Sequence, residues 1–402
     1  MQANLLKKKS FYFRIGLLLI LATVISKYIP ILNYTFIFGI IVATLLFISE
    51  KIIIKINYFI PFVGFILWSF IVSTWSNYTI LSILLLSAWL IIMLYAYGMQ
   101  NLFNKYNIRL SRILYLLNIL IIVTSVIFTL LFSNLAFHDL GAGKFLKSYT
   151  FHKNMFGSVI LLTAIPVLTL ENNNKYKYLL IIINVILLLL SNSRNSIILF
   201  FLSAILFYSL INNYKKVLRV SIIIFSIIII FIGIFKRHEN YFGESRELSI
   251  LTSLQASKSN LLTGVGFGLS DKNYDIVLKS EFVQPNPYGT NVIKEIYEFI
   301  NTSNKKIFFR EKTSSFLAII EEVGVLGFIL FLIPIGYLLF LSFQKIKYFD
   351  DEAKYLMVFF IILVIQSNVL GWVTQPGKIE LFFFFLTYFL LLNKLEDLEK
   401  IK

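Results

Sequence analysis

The chain has 402 residues, 58% of them hydrophobic and 14% charged, with a mean hydropathy of +0.81 and a formal net charge of +16. Soluble domains average about 45–50% apolar and about 25% charged residues, so a water-soluble globule cannot hide this much apolar surface, whereas a bilayer solvates it. The absence of cysteine excludes disulfide and thiolate chemistry. The lysines fall mostly between apolar runs, so the positive charge reads as membrane orientation and not as a nucleic-acid footprint.

The chain starts with Lys7, Lys8, Lys9 and Arg14 ahead of an apolar run, as a signal peptide would. That run ends at Lys27-Tyr28-Ile29-Pro30 without a small-residue cleavage site, and it is expected to be a first transmembrane helix. A helix needs about 20 apolar residues to cross the hydrocarbon core. Twelve candidates follow in order, at roughly 12–29, 31–49, 57–74, 79–98, 113–133, 155–171, 177–191, 195–213, 217–235, 315–343, 354–371 and 379–393. Residues 315–343 exceed one crossing, which points to tilt or a partly interfacial helix.

With a cytoplasmic N-terminus, the inside loops collect Lys51 and Lys55; Lys105, Arg109 and Arg112; Lys175 and Lys177; Lys215, Lys216 and Arg219; and Lys345, Lys347 and Lys354. The C-terminal tail adds Lys394, Lys400 and Lys402, while the short outside loops are poor in positive charge. Two outside segments are long: 134–154, and 236–314 of about eighty residues. A structureless loop of the second length is improbable. Helix-like stretches at 246–260 and 291–300, with turn signals at Gly264-Val265-Gly266-Phe267-Gly268 and Pro285-Asn286-Pro287, predict a small folded subdomain. The expected fold is therefore an all-α integral membrane protein of about twelve transmembrane helices. Residues 1–235 supply the first nine, 236–314 an extracytoplasmic loop subdomain, and 315–402 the last three with a cytoplasmic tail. No internal repeat supports an inverted-repeat transporter.

Three polar clusters fall on the outer face of this topology. The first, Phe151-His152-Lys153-Asn154-Met155-Phe156-Gly157, opens the sixth span; its plain reading is an interfacial anchor with an asparagine cap. The second, Ser191-Asn192-Ser193-Arg194-Asn195-Ser196, is the tight turn between spans seven and eight. Arg194 is the only charged residue between Lys177 and Lys215. An arginine at a membrane boundary often snorkels to the headgroups, but one fixed among small hydroxyl and amide residues is a bidentate partner for phosphate. The third cluster is the large loop, with Lys236-Arg237-His238, then Glu244 to Glu247 including Arg246, then the glycine string. The string lacks the lysine and hydroxyl of a P-loop, and its glycines also suit a plain tight turn. The loop ends at Arg310-Glu311-Lys312-Thr313-Ser314-Ser315, followed by Glu321-Glu322-Val323-Gly324. Carboxylates inside an apolar helix are costly and are usually functional or paired.

With three histidines (His138, His152 and His238), no HExxH pattern and no cysteine, a zinc site is not expected. No Asp-x-Asp pair or Walker sequence is present, so any chemistry is expected to be metal-independent and to need no cofactor.

Together the three clusters resemble the O-antigen ligase and polysaccharide polymerase superfamily over about 150–340. His152 to Gly157 looks like the family's His-Lys-Asn helix start, and Ser191 to Arg194 like its Ser-x-Ser-Arg turn. Arg246 followed by Gly264-Val265-Gly266 is similar to the loop arginine and downstream Gly-x-Gly. Thr313 to Leu317 and Glu322-Val323-Gly324-Val325-Leu326-Gly327 look like the motifs that end the loop. Thr313 stands where the family's ligases carry a histidine, which favours a polymerase over a ligase and leaves the general base open.

The resemblance implies glycosyl transfer at the outer face of a bacterial cytoplasmic membrane, both termini being cytoplasmic. The donor would be a polyprenyl-diphosphate-linked oligosaccharide and the acceptor the hydroxyl of the next lipid-linked unit, with a chain-length regulator and a flippase as partners. Arg194 and Arg246 would stabilise charge on the leaving diphosphate. Lys153 and Arg237 are weaker candidates for the same task; His152, Asn154, Ser193 and Thr313 are expected to bind substrate. Glu322, Glu321, His238 and His152 are the candidate proton acceptors. The competing readings are a ligase moving finished glycan to another acceptor, a lipid-linked sugar flippase or other transporter, and a non-catalytic membrane scaffold.

Overall fold

The computed structural model describes residues 54–139, 144–148, 153–169, 175–211, 260–269, 314–367, 373–374 and 379–400. These are mostly helical. The helices are α1 (Ile60–Trp75), α2 (Thr79–Lys105), α3 (Leu110–Leu131), α4 (Lys153–Ala164, running on as a 3-10 helix Ile165–Thr169), α5 (Lys175–Ser191), α6 (Arg194–Ile211), α7 (Ser315–Lys345), α8 (Asp351–Ser367) and α9 (Ile379–Lys400). Each coincides with one of the apolar runs of the sequence, shifted by a few residues at its ends. The runs at 12–29, 31–49 and 217–235 lie outside the described residues. So does most of 236–314, including both of its helix-like stretches apart from Asn260. Within 134–154 a short antiparallel hairpin appears, β1 (Phe137–Asp139) with β2 (Lys144–Leu146), pairing Phe137 with Leu146.

Among the described residues, three helices are long and apolar enough to cross a membrane by length and composition: Thr79–Lys105, Leu110–Leu131 and Ser315–Tyr348. Four further apolar helices are shorter. The outward surfaces are apolar. On α1 they carry Ile60, Val63, Leu67 and Phe70; on α7, Leu326, Ile329, Ile333, Tyr337 and Phe340. Steps of three and four residues put each set on one helix face. A continuous apolar stripe of this size is compatible with contact to a bilayer.

Helices α1, α2, α7 and α9 form one packed group, and α3, α4, α5 and α6 another. Helix α8 joins them, packing on α9 in the first group and on α6 in the second. The innermost elements are apolar all round, as buried helices should be. In α9 every residue from Leu381 to Leu391 is buried, and in α4 every residue from Phe156 to Ala164. Rings stack in that interior, among them Phe360 on Phe384 at 5.2 Å and Trp89 edge-on to Phe385 at 4.7 Å.

A polar knot crosses the second group. Asn118 of α3 and Asn184 of α5 exchange amide hydrogen bonds of 2.8 and 2.9 Å, and Asn118 also donates to Thr163 of α4 at 3.2 Å. All three are buried, so the bonds fix the register of three helices whose other contacts are non-directional.

The bundle has two unlike ends. One holds ion pairs, including Lys55–Glu396 and Lys394–Asp350, each at 2.8 Å, and Lys345–Glu399. The described residues of the polar clusters singled out from the sequence lie at the other.

Candidate functional site

The 315–343 run is long because it is two helices in line. Gly324 has φ 73° and ψ 177°, which breaks α7 after Val323. That region of backbone space is essentially restricted to glycine. Ser314 caps the first piece, its hydroxyl accepting the Leu317 N–H at 3.4 Å. The carbonyls left open by the break are filled from elsewhere. Val265 N–H donates to Glu321 O at 3.1 Å, Gly266 N–H to Glu322 O at 2.9 Å, and the Trp68 indole N–H to Val323 O at 2.8 Å. Beyond the break, Val325 N–H donates to Leu261 O at 2.9 Å.

Residues 260–269 therefore dock onto the broken helix as an extra layer of backbone. Gly264, Gly266 and Gly268 all have positive φ. A Cβ on Gly264 would strike the Glu322 backbone, and one on Gly324 the Leu262 carbonyl. The glycine string thus serves a close backbone approach within the protein, which settles its geometry in favour of the tight-turn reading. Between the last two glycines, Phe267 enters the core against Phe65 and Trp89, both at 6.2 Å, and its carbonyl accepts the Ser82 hydroxyl at 2.9 Å.

Glu321 and Glu322 are both about 1% exposed. Glu322 reaches across the junction: Gly268 N–H donates to its Oε2 at 2.9 Å and the Thr374 hydroxyl to its Oε1 at 3.1 Å. The neighbouring Val373 N–H donates to Ser315 Oγ at 3.1 Å, and its carbonyl accepts the Trp89 indole N–H at 2.9 Å. One carboxylate thus ties the glycine turn, the first piece of α7 and the segment between α8 and α9.

The described residues of the other two clusters meet each other. The described part of α4 runs from Lys153, and Asn154 lies inside the helix and not at a cap. Four residues on, Gly157 lies so close to the α5–α6 turn that a Cβ would collide with Ser193, coming within 2.5 Å of its Oγ. In that turn Asn192 takes φ 48°, a left-handed value that asparagine tolerates. The Ser193 N–H donates to Ser191 Oγ at 3.2 Å, and Ser193 O accepts the Ile197 N–H that opens α6. Ser193 Oγ also lies 2.9 Å from Ser196 Oγ. Ser193 is therefore the residue from which α6 starts, and half-buried Arg194 is its first helical residue. Gln366 near the end of α8 ties α8 to α4 beside this pair, its amide donating to Ser158 Oγ at 3.2 Å.

Of the residues predicted from sequence, Asn154, Ser193 and Arg194 lie around the contact of α4 with the α5–α6 turn, and Glu321 and Glu322 lie at the break in α7; Lys153 is the first described residue of α4. His152, Arg237, His238, Arg246 and Thr313 lie outside the described residues. The sequence reading missed Trp68, Trp89, Phe267, Gln366 and Thr374. Phe267 had a signal, a large apolar residue between glycines in a polar loop. Thr374 had none, because it depends on where another segment lands. Among the described residues no group of three or more His, Asp or Glu side chains is placed to hold a metal ion.

No protein-family model matches the chain, and no curated protein matches it.

Proposed function

We propose that the protein is a polysaccharide repeat-unit polymerase, a multi-pass protein of about twelve spans in a bacterial cytoplasmic membrane. It would transfer a growing glycan from a polyprenyl diphosphate to the hydroxyl of the next lipid-linked unit, outside the membrane. The observation that carries this reading is the start of α6 in a tight polar turn. Helix α6 begins with a basic residue, Arg194, and Gly157 of α4 lies against Ser193, the residue just before it. A helix dipole disfavours a cation at its N-terminus by about 0.3–1 kcal/mol. A bound anion reverses that sign, and the N-terminus of α6 with a guanidinium makes a natural cradle for diphosphate.

In this mechanism the C1–O bond of the donor sugar breaks and negative charge grows on the leaving diphosphate. Arg194, assisted by Arg246 and Lys153, stabilises that charge. His152, His238 and Glu321 are the candidates to accept the proton of the incoming hydroxyl. The broken helix does not favour a transporter, because the carbonyls at its break accept protein hydrogen bonds and are not presented to an ion.

The test is a gel of lipid-linked and surface glycans from a deletion strain carrying each variant. Arg194→Ala abolishes polymer while the protein still inserts, and Arg194→Lys impairs it because the bidentate fork is lost. Normal high-molecular-weight glycan from Arg194→Ala would sink the mechanism. In a deletion strain, single repeat units indicate a polymerase, whereas accumulated long lipid-linked chains indicate a ligase.

A further inference from the structure

We infer that Glu322 is a positioning residue: a buried latch that holds the 260–269 segment and Thr374 on the broken helix, and not the proton acceptor of the reaction. The inference deepens the polymerase reading and rests on it for its activity measurement alone.

Three observations converge. The first is the number of separate strands of chain that Glu322 joins. Its two oxygens accept from Gly268 N–H at 2.9 Å and from the Thr374 hydroxyl at 3.1 Å, donors 106 positions apart in the chain. Its own carbonyl accepts from Gly266 N–H at 2.9 Å. The second is burial: Glu322 is about 1% exposed, and Leu269 and Phe267 beside it are also buried. The third is that the docked segment is packed too closely to admit a side chain at its glycines. A Cβ at Gly264 would meet the Glu322 backbone, and one at Gly268 would come within 2.6 Å of the Leu85 side chain. A carboxylate has about four lone-pair sites, so these bonds do not by themselves exclude a base. They do show that both oxygens are directed at protein donors, as a latch requires.

The two roles separate on one substitution. Glutamine keeps an acceptor for the Gly268 N–H, and its amide N–H can donate to Thr374 Oγ, whose hydroxyl rotates to suit. It cannot take a proton from a substrate. Glu322→Gln therefore keeps the latch and destroys a base, whereas Glu322→Ala destroys both.

The chain has no native cysteine, so Leu269→Cys gives a reporter without background. Leu269 is about 2% exposed. A maleimide applied to the detergent-solubilised protein labels the introduced thiol only when the segment undocks. In the Leu269→Cys background, adding Glu322→Ala should raise labelling about tenfold or more, since the buried Thr374 hydroxyl and the part-buried Gly268 N–H lose their acceptor. Glu322→Gln should stay protected and, in the glycan gel, restore most of the polymer that Glu322→Ala loses. Thr374→Val alone should raise labelling modestly. Combined with Glu322→Gln it should raise labelling by more than the two separate changes together, because the glutamine N–H then has no acceptor.

Protection of the introduced thiol in Glu322→Ala would overturn the latch. So would a Glu322→Gln variant that is protected yet as inactive as Glu322→Ala, since the carboxylate would then be acting chemically. The labelling arms need no glycosyl transfer, so they decide the latch even where the polymerase reading fails.

Discussion

Glu322 and Glu352 sit at opposite ends of the bundle, and each is held by one backbone N–H and one hydroxyl. Glu352 takes both donors from a single residue: Ser111 N–H at 3.2 Å and the Ser111 hydroxyl. Glu322 takes them from two segments, Gly268 and Thr374. The difference is one of reach. Ser111 is the second residue of α3, so Glu352 satisfies one of the open N–H groups at a helix start and joins helix to helix. Glu322 joins three pieces of chain that no helix connects. The same chemistry is a local cap at one end and an organising joint at the other.

The sharpest way to break this contrast lies within α7, where Gly324 stands at the joint and Gly336 towards the other end. An alanine at 324 would take a glycine-only conformation and meet Leu262 O. Gly324→Ala should cost about 3 kcal/mol or more. Nothing lies within 4 Å of a Cβ at Gly336, so Gly336→Ala should be neutral or stabilise by about 0.5–1 kcal/mol. Thermal unfolding of the detergent-solubilised variants reads both, and equal losses would remove the distinction.

Glu352→Ala comes next. It leaves the buried Ser111 N–H without its acceptor, at a cost of about 1–3 kcal/mol. Its melting temperature should fall while, on the proposed polymerase reading, glycan length stays normal. A loss of polymer at full folding would mean that the charged end also reaches the site.

Between the ends, Asn118→Ala should cost about 1 kcal/mol in the same unfolding assay, since Asn184 loses its reciprocal partner. An unchanged melting temperature would show that the polar knot does not set the register of α3, α4 and α5.

The smallest effect belongs to the surface pairs. Burial alone would raise the Asp350 carboxyl, but hydrogen bonds from Lys394 and the Ala353 N–H outweigh it and hold it below the usual range. Hydrogen bonds from Lys55 and then Tyr58 hold Glu396 low. Both contributions are present above the unfolded carboxylate value of about 4 and are lost as pH falls through the lower folded values. These groups are substantially exposed, so each pair is worth about 1 kcal/mol or less. Lys394→Ala should therefore lower the melting temperature slightly at pH 7 and not at all near pH 2. A larger loss at low pH would reverse the sign of this argument.

The positions of the nine described helices were legible in the sequence, because unbroken apolar runs admit little but helix. The boundaries of α5 and α6 were legible from Ser191-Asn192-Ser193, whose small polar residues turn and cap the chain locally. Arg194 stood out for the same local reason, as a lone charge in an apolar stretch. The break in α7 was visible only as excess length. Gly324 inside an apolar run reads as a tolerated glycine until the partner that requires its positive φ is known.

Composition and hydropathy by themselves determined an apolar helical chain with basic connections and a polar group at one set of helix ends, since those properties depend on near neighbours along the chain. The role of the glycine string, the joining of Glu322 to Thr374 and the seating of Gly157 against Ser193 were decided only by the tertiary structure. Each depends on a backbone or hydroxyl group that every residue of its type carries. Such groups acquire a function only from what stands opposite them, and that is fixed by packing across tens or hundreds of positions.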